Sequence, residues 1–167
     1  WQNAEVEALY RLARAGVRVP EPYGCFDGVL LMELITDEHG DVAPRLNEVS
    51  MSAEQAREDH AQVMHYVMCM LNAGLVHGDL SEFNVLVDEN GPVIIDLPQA
   101  VDAASNNNAR AMLERDVKNM TDYYGLFAPD LRGSHYAQEI WKLYEDGALH
   151  PDLKLTGHFE IDSHTAD

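Results

Sequence analysis

Apolar positions follow two different periods along this chain, and the changes of period mark its elements. Val6, Leu9, Tyr10 and Ala13 recur at i, i+3, i+4 and i+7, which predicts an amphipathic helix over 2–15 with Gly16 at the helix C′ position. Pro20 and Pro22 then impose an extended passage. Val29 to Ile35 is an apolar run interrupted only by Glu33, read as a buried strand running into a connector. Thr36 to Ser50 is polar, includes Gly40 and Pro44, and reads as a crossing between lobes. Ser52-Ala53-Glu54-Gln55 has the pattern of a capping box, and Ala56, Val63, Met64, Val67 and Leu71 continue at helical spacing until Gly74. The same spacing predicts helices over about 109–124, on Leu113, Val117, Met120 and Tyr124, and over about 134–145, on Ile140, Trp141 and Tyr144.

Between the second and third helices the pattern is that of strands. Val85-Leu86-Val87 and Val93-Ile94-Ile95 flank Asp88-Glu89-Asn90-Gly91, whose Asn-Gly favours the positive φ of a tight hairpin. Such a hairpin brings Asn84, at the start of one strand, near Asp96, at the end of the other. The stretch after Gly147 is acidic and aperiodic and is expected to be loosely held.

Charge narrows the functions available. With 29 acidic and 11 basic residues the formal net charge is −18, which leaves no electrostatic footprint for nucleic acid or an anionic membrane in this stretch. No window approaches a transmembrane span, and Cys25 and Cys69 are too few and too isolated for a disulfide framework or a metal knuckle, so the cytoplasm is the expected compartment. The chain opens at Trp1 within a predicted helix, as expected of part of a longer polypeptide.

The candidate chemistry lies in His77-Gly78-Asp79-Leu80-Ser81-Glu82-Phe83-Asn84 and in the hairpin that ends on Asp96. An Asp and an Asn five positions apart on a tight loop, followed by a hairpin delivering a second Asp, is how phosphoryl-transfer sites of the protein-kinase type assemble a base and two metal ligands. Asp79 can orient an attacking hydroxyl or accept its proton. Asn84 and Asp96 offer hard oxygens to Mg²⁺. Taken singly, each of these residues reads more readily as a cap or a turn former; order, spacing and the capped helix ahead of them carry the assignment together. His77 reads as an orienting core histidine. His60 and His65, five apart, do not share a helical face well enough for a zinc pair.

His77 to Asn84 together with Ile94-Ile95-Asp96-Leu97-Pro98-Gln99 resembles the signatures of the RIO family of atypical protein kinases. Trp1-Gln2-Asn3-Ala4-Glu5 resembles that family's αC helix, Leu31-Met32-Glu33-Leu34-Ile35 its hinge, and Glu114 to Asn119 the helix after its active site. The resemblance implies an α+β, protein-kinase-like bilobal fold. Residues 1–35 would be the end of the N-lobe, 36–147 a mainly helical C-lobe with the catalytic-loop hairpin, and 148–167 an acidic tail.

It also implies an ATP- and Mg²⁺- (or Mn²⁺-) dependent serine/threonine protein kinase. Asp79 and Asp96 would be catalytic, Asn84 and Asp96 metal ligands, and Glu5, Met32, Glu33, Ile35, Ser81, Glu82 and Asn84 nucleotide-binding, with the backbone at Glu33 and Ile35 meeting adenine. The family's glycine-rich loop and the Lys partner of Glu5 do not occur in this stretch, and no Ala-Pro-Glu closure follows Asp96, so the protein itself is the expected acceptor, or ATP hydrolysis the outcome. Two alternatives stand beside this reading: a small-molecule phosphotransferase of the aminoglycoside or choline type, and an ATP-gated assembly module with little turnover.

Overall fold

Helices and small antiparallel sheets alternate along the chain in the computed structural model, which describes residues 2–95 and 101–159. The order is α1 (Gln2–Arg14), β1 (Pro22–Phe26), β2 (Val29–Met32), a 3₁₀ turn (Leu46–Glu48), α2 (Ala53–Asn72), β3 (Leu75–Val76), β4 (Val85–Asp88), β5 (Gly91–Ile94), β6 (Val101–Asp102), α3 (Ala109–Tyr124) and α4 (Tyr136–Glu145). The strands pair as β1–β2, β4–β5 and β3–β6. Among the described residues no helix is long and apolar enough to cross a membrane.

α2 is the centre of the core. Ser52 caps it, its hydroxyl accepting the Gln55 N–H at 3.1 Å, but the reciprocal half of the expected capping box is missing: the Gln55 amide instead donates to Asp59 at 2.8 Å. From Val63 to Leu71 every residue but His65 is buried, against α3, α4 and the strand that follows, which is why this segment is apolar almost all round. Leu12, Leu46, Met64, Met68, Leu71, Leu113, Met120 and Ile140 are fully enclosed, each burial contributing roughly 1.5–3 kcal/mol. Gly74, at φ +85°, turns the chain off α2. Between α2 and the loop that follows lies β3, paired with β6, with Leu75 opposite Asp102.

Two expectations are corrected. The Val29–Ile35 run is not a buried strand. β2 ends at Met32, and Val29, Leu31, Met32 and Leu34 are exposed: β1 and β2 form a two-stranded sheet of their own, and among the described residues it is β1 that packs beside α1, the Tyr10 hydroxyl donating to the Pro22 carbonyl at 3.2 Å. The C-terminal stretch, up to residue 159, is not loose either. Leu149, Leu153 and Leu155 pack on the core, and the Glu139 carboxylate accepts the Thr156 and Gly157 N–H groups at 3.0 and 2.9 Å, strapping the segment to α4.

His60 is a core residue. Its Nε2 lies 2.9 Å from the Thr121 hydroxyl and its ring meets Tyr124 and Tyr136 edge-on, while Nδ1 has no hydrogen-bond partner among the described residues. Burial pushes its pKa down to about 4. An unfolded His takes up its proton near pH 6.5. The stability it contributes is therefore present above that pH and is lost as pH falls toward 4, a change on the order of 3 kcal/mol. The neighbouring Asp59, pushed up by burial, opposes this over part of the same range. Urea unfolding at pH 7 and pH 5 is expected to give a clearly smaller loss for His60→Gln than for the unsubstituted protein, since Asp59 cancels in the comparison; equal losses would refute the assignment.

Candidate active site

The loop between β3 and β4 is held from below by one face of α3. Gly78 sits at φ +88°, a conformation open to glycine without strain, and lets the backbone turn so that the N–H groups of Gly78 and Leu80 converge. Both donate to the Asp116 carboxylate, at 2.8 Å to Oδ2 and 3.0 Å to Oδ1. Asp116 is 1% exposed. Desolvation pushes its carboxyl up, opposed by those two N–H groups and by the nearby His77 and Arg115. The same face supplies Arg115, whose Nη2 donates to the Gly78 carbonyl, and Asn119, whose Nδ2 donates to the Leu80 carbonyl at 3.2 Å.

His77 joins the loop to the second strand of the hairpin. Its Nδ1 accepts the Asp79 N–H at 3.1 Å, which leaves the proton on Nε2, and Nε2 donates to the Ile95 carbonyl at 3.3 Å. One ring thus sets the distance between the backbone at Asp79 and the residue before Asp96. Asp96 itself, with residues 97–100, lies outside the described residues.

Asn84 is buried and closes the loop from within. Its amide donates to the Asp79 carbonyl, its Oδ1 accepts the Ser81 N–H at 2.8 Å, and its backbone N–H donates to the Ser81 carbonyl at 3.2 Å. An amide oxygen has two lone pairs, so one remains for a further ligand. The Ser81 hydroxyl accepts the Phe83 N–H at 3.2 Å, and the Glu82 carbonyl accepts from Asn47 at 3.1 Å. The Asp79 side chain stands apart. It is exposed where both its sequence neighbours are buried, and its carboxylate has no hydrogen-bond partner among the described residues.

The hairpin leaves β4 at Asp88 and returns at Gly91. The positive φ falls on Gly91, at +111°, and not on Asn90, so the Asn-Gly pair serves a turn whose glycine begins β5. Val85 faces Ile94, and the Ile95 N–H donates to the Asn84 carbonyl at 2.9 Å, so Asn84 and residue 95 lie opposite each other.

On the far side of the connector, the Glu33 N–H donates to the Glu21 carbonyl at 2.7 Å and the Ile35 carbonyl accepts from Ala43 at 2.9 Å. That leaves the Glu33 carbonyl and the Ile35 N–H, two positions apart in sequence, without a hydrogen bond among the described residues. Met32, just before them in sequence, is exposed. Glu5 lies on α1, and its side chain is outside the described residues.

Sequence reasoning did not single out Asp116 or Asn119 individually. The signal was there: Asp116 falls three residues after Leu113 and four before Met120, so a carboxylate occupies a core position of an otherwise apolar helix face.

A family model described as the RIO domain matches residues 1–153. The chain belongs to the RIO family. Among its relatives this RIO domain is 39% identical over 133 residues to the RIO-type serine/threonine-protein kinase Rio1 of Haloferax volcanii, covering 80% of this chain and 44% of that protein. It is 38% identical over 125 residues to human serine/threonine-protein kinase RIO1, covering 74% of this chain and 22% of that one, and 34% identical over 130 residues to RIO3 of Caenorhabditis elegans, covering 74% and 25%. The chain therefore spans less than half the length of these relatives. The RIO domain is kinase-like, and the α+β architecture described above is part of that fold.

Proposed function

We propose that this chain forms the catalytic part of an ATP- and Mg²⁺-dependent serine/threonine kinase of RIO type. The carrying observation is Asp79: an exposed carboxylate, without a hydrogen-bond partner among the described residues, on a loop whose neighbouring backbone groups are tied down by α3 and Asn84. Asp79 would accept the proton of the attacking hydroxyl as its oxygen bonds to the γ-phosphorus and ADP departs. Asn84, through the remaining lone pair of Oδ1, and Asp96 would hold Mg²⁺ or Mn²⁺, which neutralises charge developing on the phosphoryl oxygens. The Glu33 carbonyl and the Ile35 N–H, neither hydrogen-bonded among the described residues, would meet the adenine edge, and Glu5, Met32, Ser81 and Glu82 would complete the nucleotide site. Cys25 and Cys69 are both free, which fits a cytoplasmic protein.

The acceptor we propose is the protein itself, or water. Positioning a separate peptide without a docking platform forgoes an entropy advantage that can reach roughly 7–11 kcal/mol; a tethered hydroxyl avoids the loss. With radiolabelled ATP, the full-length protein is expected to label itself or release phosphate far faster than it labels generic peptides or aminoglycosides. Asp96→Asn should abolish that turnover and weaken Mg²⁺-ATP binding. Saturable transfer to a small alcohol or aminoglycoside would move the protein to the small-molecule class, and full turnover by Asp96→Asn would refute the metal assignment.

A further inference from the structure

A two-stranded hairpin on its own is marginally stable in water, yet β4–β5 has to present Asn84 at a fixed place. One edge is held through β4, where the Val87 N–H donates to the Pro44 carbonyl at 2.9 Å and Arg45 bridges to Leu86. On the β5 side, beside the His77 contact to the Ile95 carbonyl, the described residues place one residue from the passage after α1. The Arg18 carbonyl accepts the Ile94 N–H at 3.0 Å, near the base of the hairpin. The Arg18 guanidinium reaches the tip, where Nη1 and Nη2 make a two-pronged contact with Asp88, the Nη1–Oδ1 distance being 2.6 Å, and Nη1 also approaches the Gly91 carbonyl at 3.4 Å.

This pair differs from the other ion pairs between Arg or Lys and carboxylates among the described residues. Three of those are i,i+4 pairs on exposed helix faces, and Arg57–Asp130 is more than half exposed at both ends, as expected of contacts that add little. Asp88 is 7% exposed at its side chain and 70 residues away from Arg18 in sequence. Its Oδ1 also accepts the Asn90 N–H at 2.8 Å, so the carboxylate locks the turn and the tether together. The pairing holds the Asp88 carboxyl below the usual carboxylate range and raises Arg18. A planar fork gripping both carboxylate oxygens fixes orientation as well as distance, which a lysine cannot do.

We infer that Arg18 is a positioning residue: by gripping β5 at its base and the hairpin at its tip, it keeps Asn84 in register with the α1–β1 side of the site, so that metal affinity depends on a residue far from the metal in sequence. This rests on the reading of Asn84 as a metal ligand. Loss of the grip lets the hairpin pivot about its β4 edge and Asn84 Oδ1 wander from its place.

The test uses the full-length protein and Arg18→Gln, Asp88→Asn and Arg18→Lys variants. The KM for Mg²⁺ in ATP turnover is expected to rise about tenfold in the first two, the lower end of what losing an outer-shell support costs, with kcat at saturating Mg²⁺ within a few-fold of the parent. Arg18→Lys should recover part of the loss. Amide hydrogen exchange should quicken at Ile94 and Ile95 in Arg18→Gln while the Val87 and α3 amides stay unchanged. An unaltered Mg²⁺ dependence alongside a lowered melting temperature would reduce Arg18 to a structural tether and overturn the inference. So would unchanged exchange in the hairpin. A parent protein with no Mg²⁺-dependent turnover would instead overturn the reading of the site, and the exchange data would still decide whether Arg18 grips the hairpin.

Discussion

An Asp116→Ala variant is expected to lose about 2–6 kcal/mol of folding stability, because the Gly78 and Leu80 N–H groups would each be left buried and unpaired at roughly 1–3 kcal/mol apiece. Relief of the cost of burying the carboxylate works the other way and favours the lower part of that range. Asp116→Asn keeps one acceptor and turns an amide donor toward the second N–H, so it should fall between the alanine variant and the parent. Because the same two N–H groups bracket Asp79, phosphate transfer by the folded fraction should fall with stability. Urea unfolding with parallel turnover measurements checks both. A stability loss under about 1 kcal/mol would mean that the loop does not hang on Asp116.

Asp79→Ala should give the opposite signature: little change in stability and a loss of about 10²–10⁴ in transfer rate, the range for removing a positioned general base. The reason is its surroundings, since among the described residues the exposed carboxylate makes no hydrogen bond, and only its backbone N–H and carbonyl are used, by His77 and Asn84. Alanine retains both backbone groups. Calorimetry with a non-hydrolysable ATP analogue and Mg²⁺ is expected to give affinity within several-fold of the parent. A collapse of affinity with transfer preserved would exchange the roles of Asp79 and the metal ligands.

Features set by local interactions are legible in the amino-acid order. The periodicity of Leu113, Val117, Met120 and Tyr124 predicts a helix over about 109–124, and α3 runs from Ala109 to Tyr124. Ser52 announces the start of α2, and Asn90-Gly91 the hairpin, with Asn84 opposite residue 95. The spacing of Asp79 and Asn84 points to the loop, and the structure brings the Asn84 amide onto the Asp79 carbonyl. These features depend on residues within a few positions of one another, where the period of the backbone and the reach of short side chains decide the outcome.

What could not be read there comes from contacts distant in sequence. The pairing of Leu75 with Asp102, the grip of Asp116 on Gly78 and Leu80, and the reach of Arg18 to Asp88 join segments that carry no mark of one another. Nor can an apolar run say whether a second layer will cover it, and β2 remains exposed although its composition matches a buried strand. The acidic, aperiodic stretch after Gly147 reads as unattached, yet three leucines and one glutamate from α4 hold it. Amino-acid order alone was enough for the helices and the hairpin, because those follow from local backbone period and turn chemistry. Tertiary structure alone decided which carboxylate became a buried anchor and which stayed free, because burial and hydrogen-bond partners are properties of the packed chain.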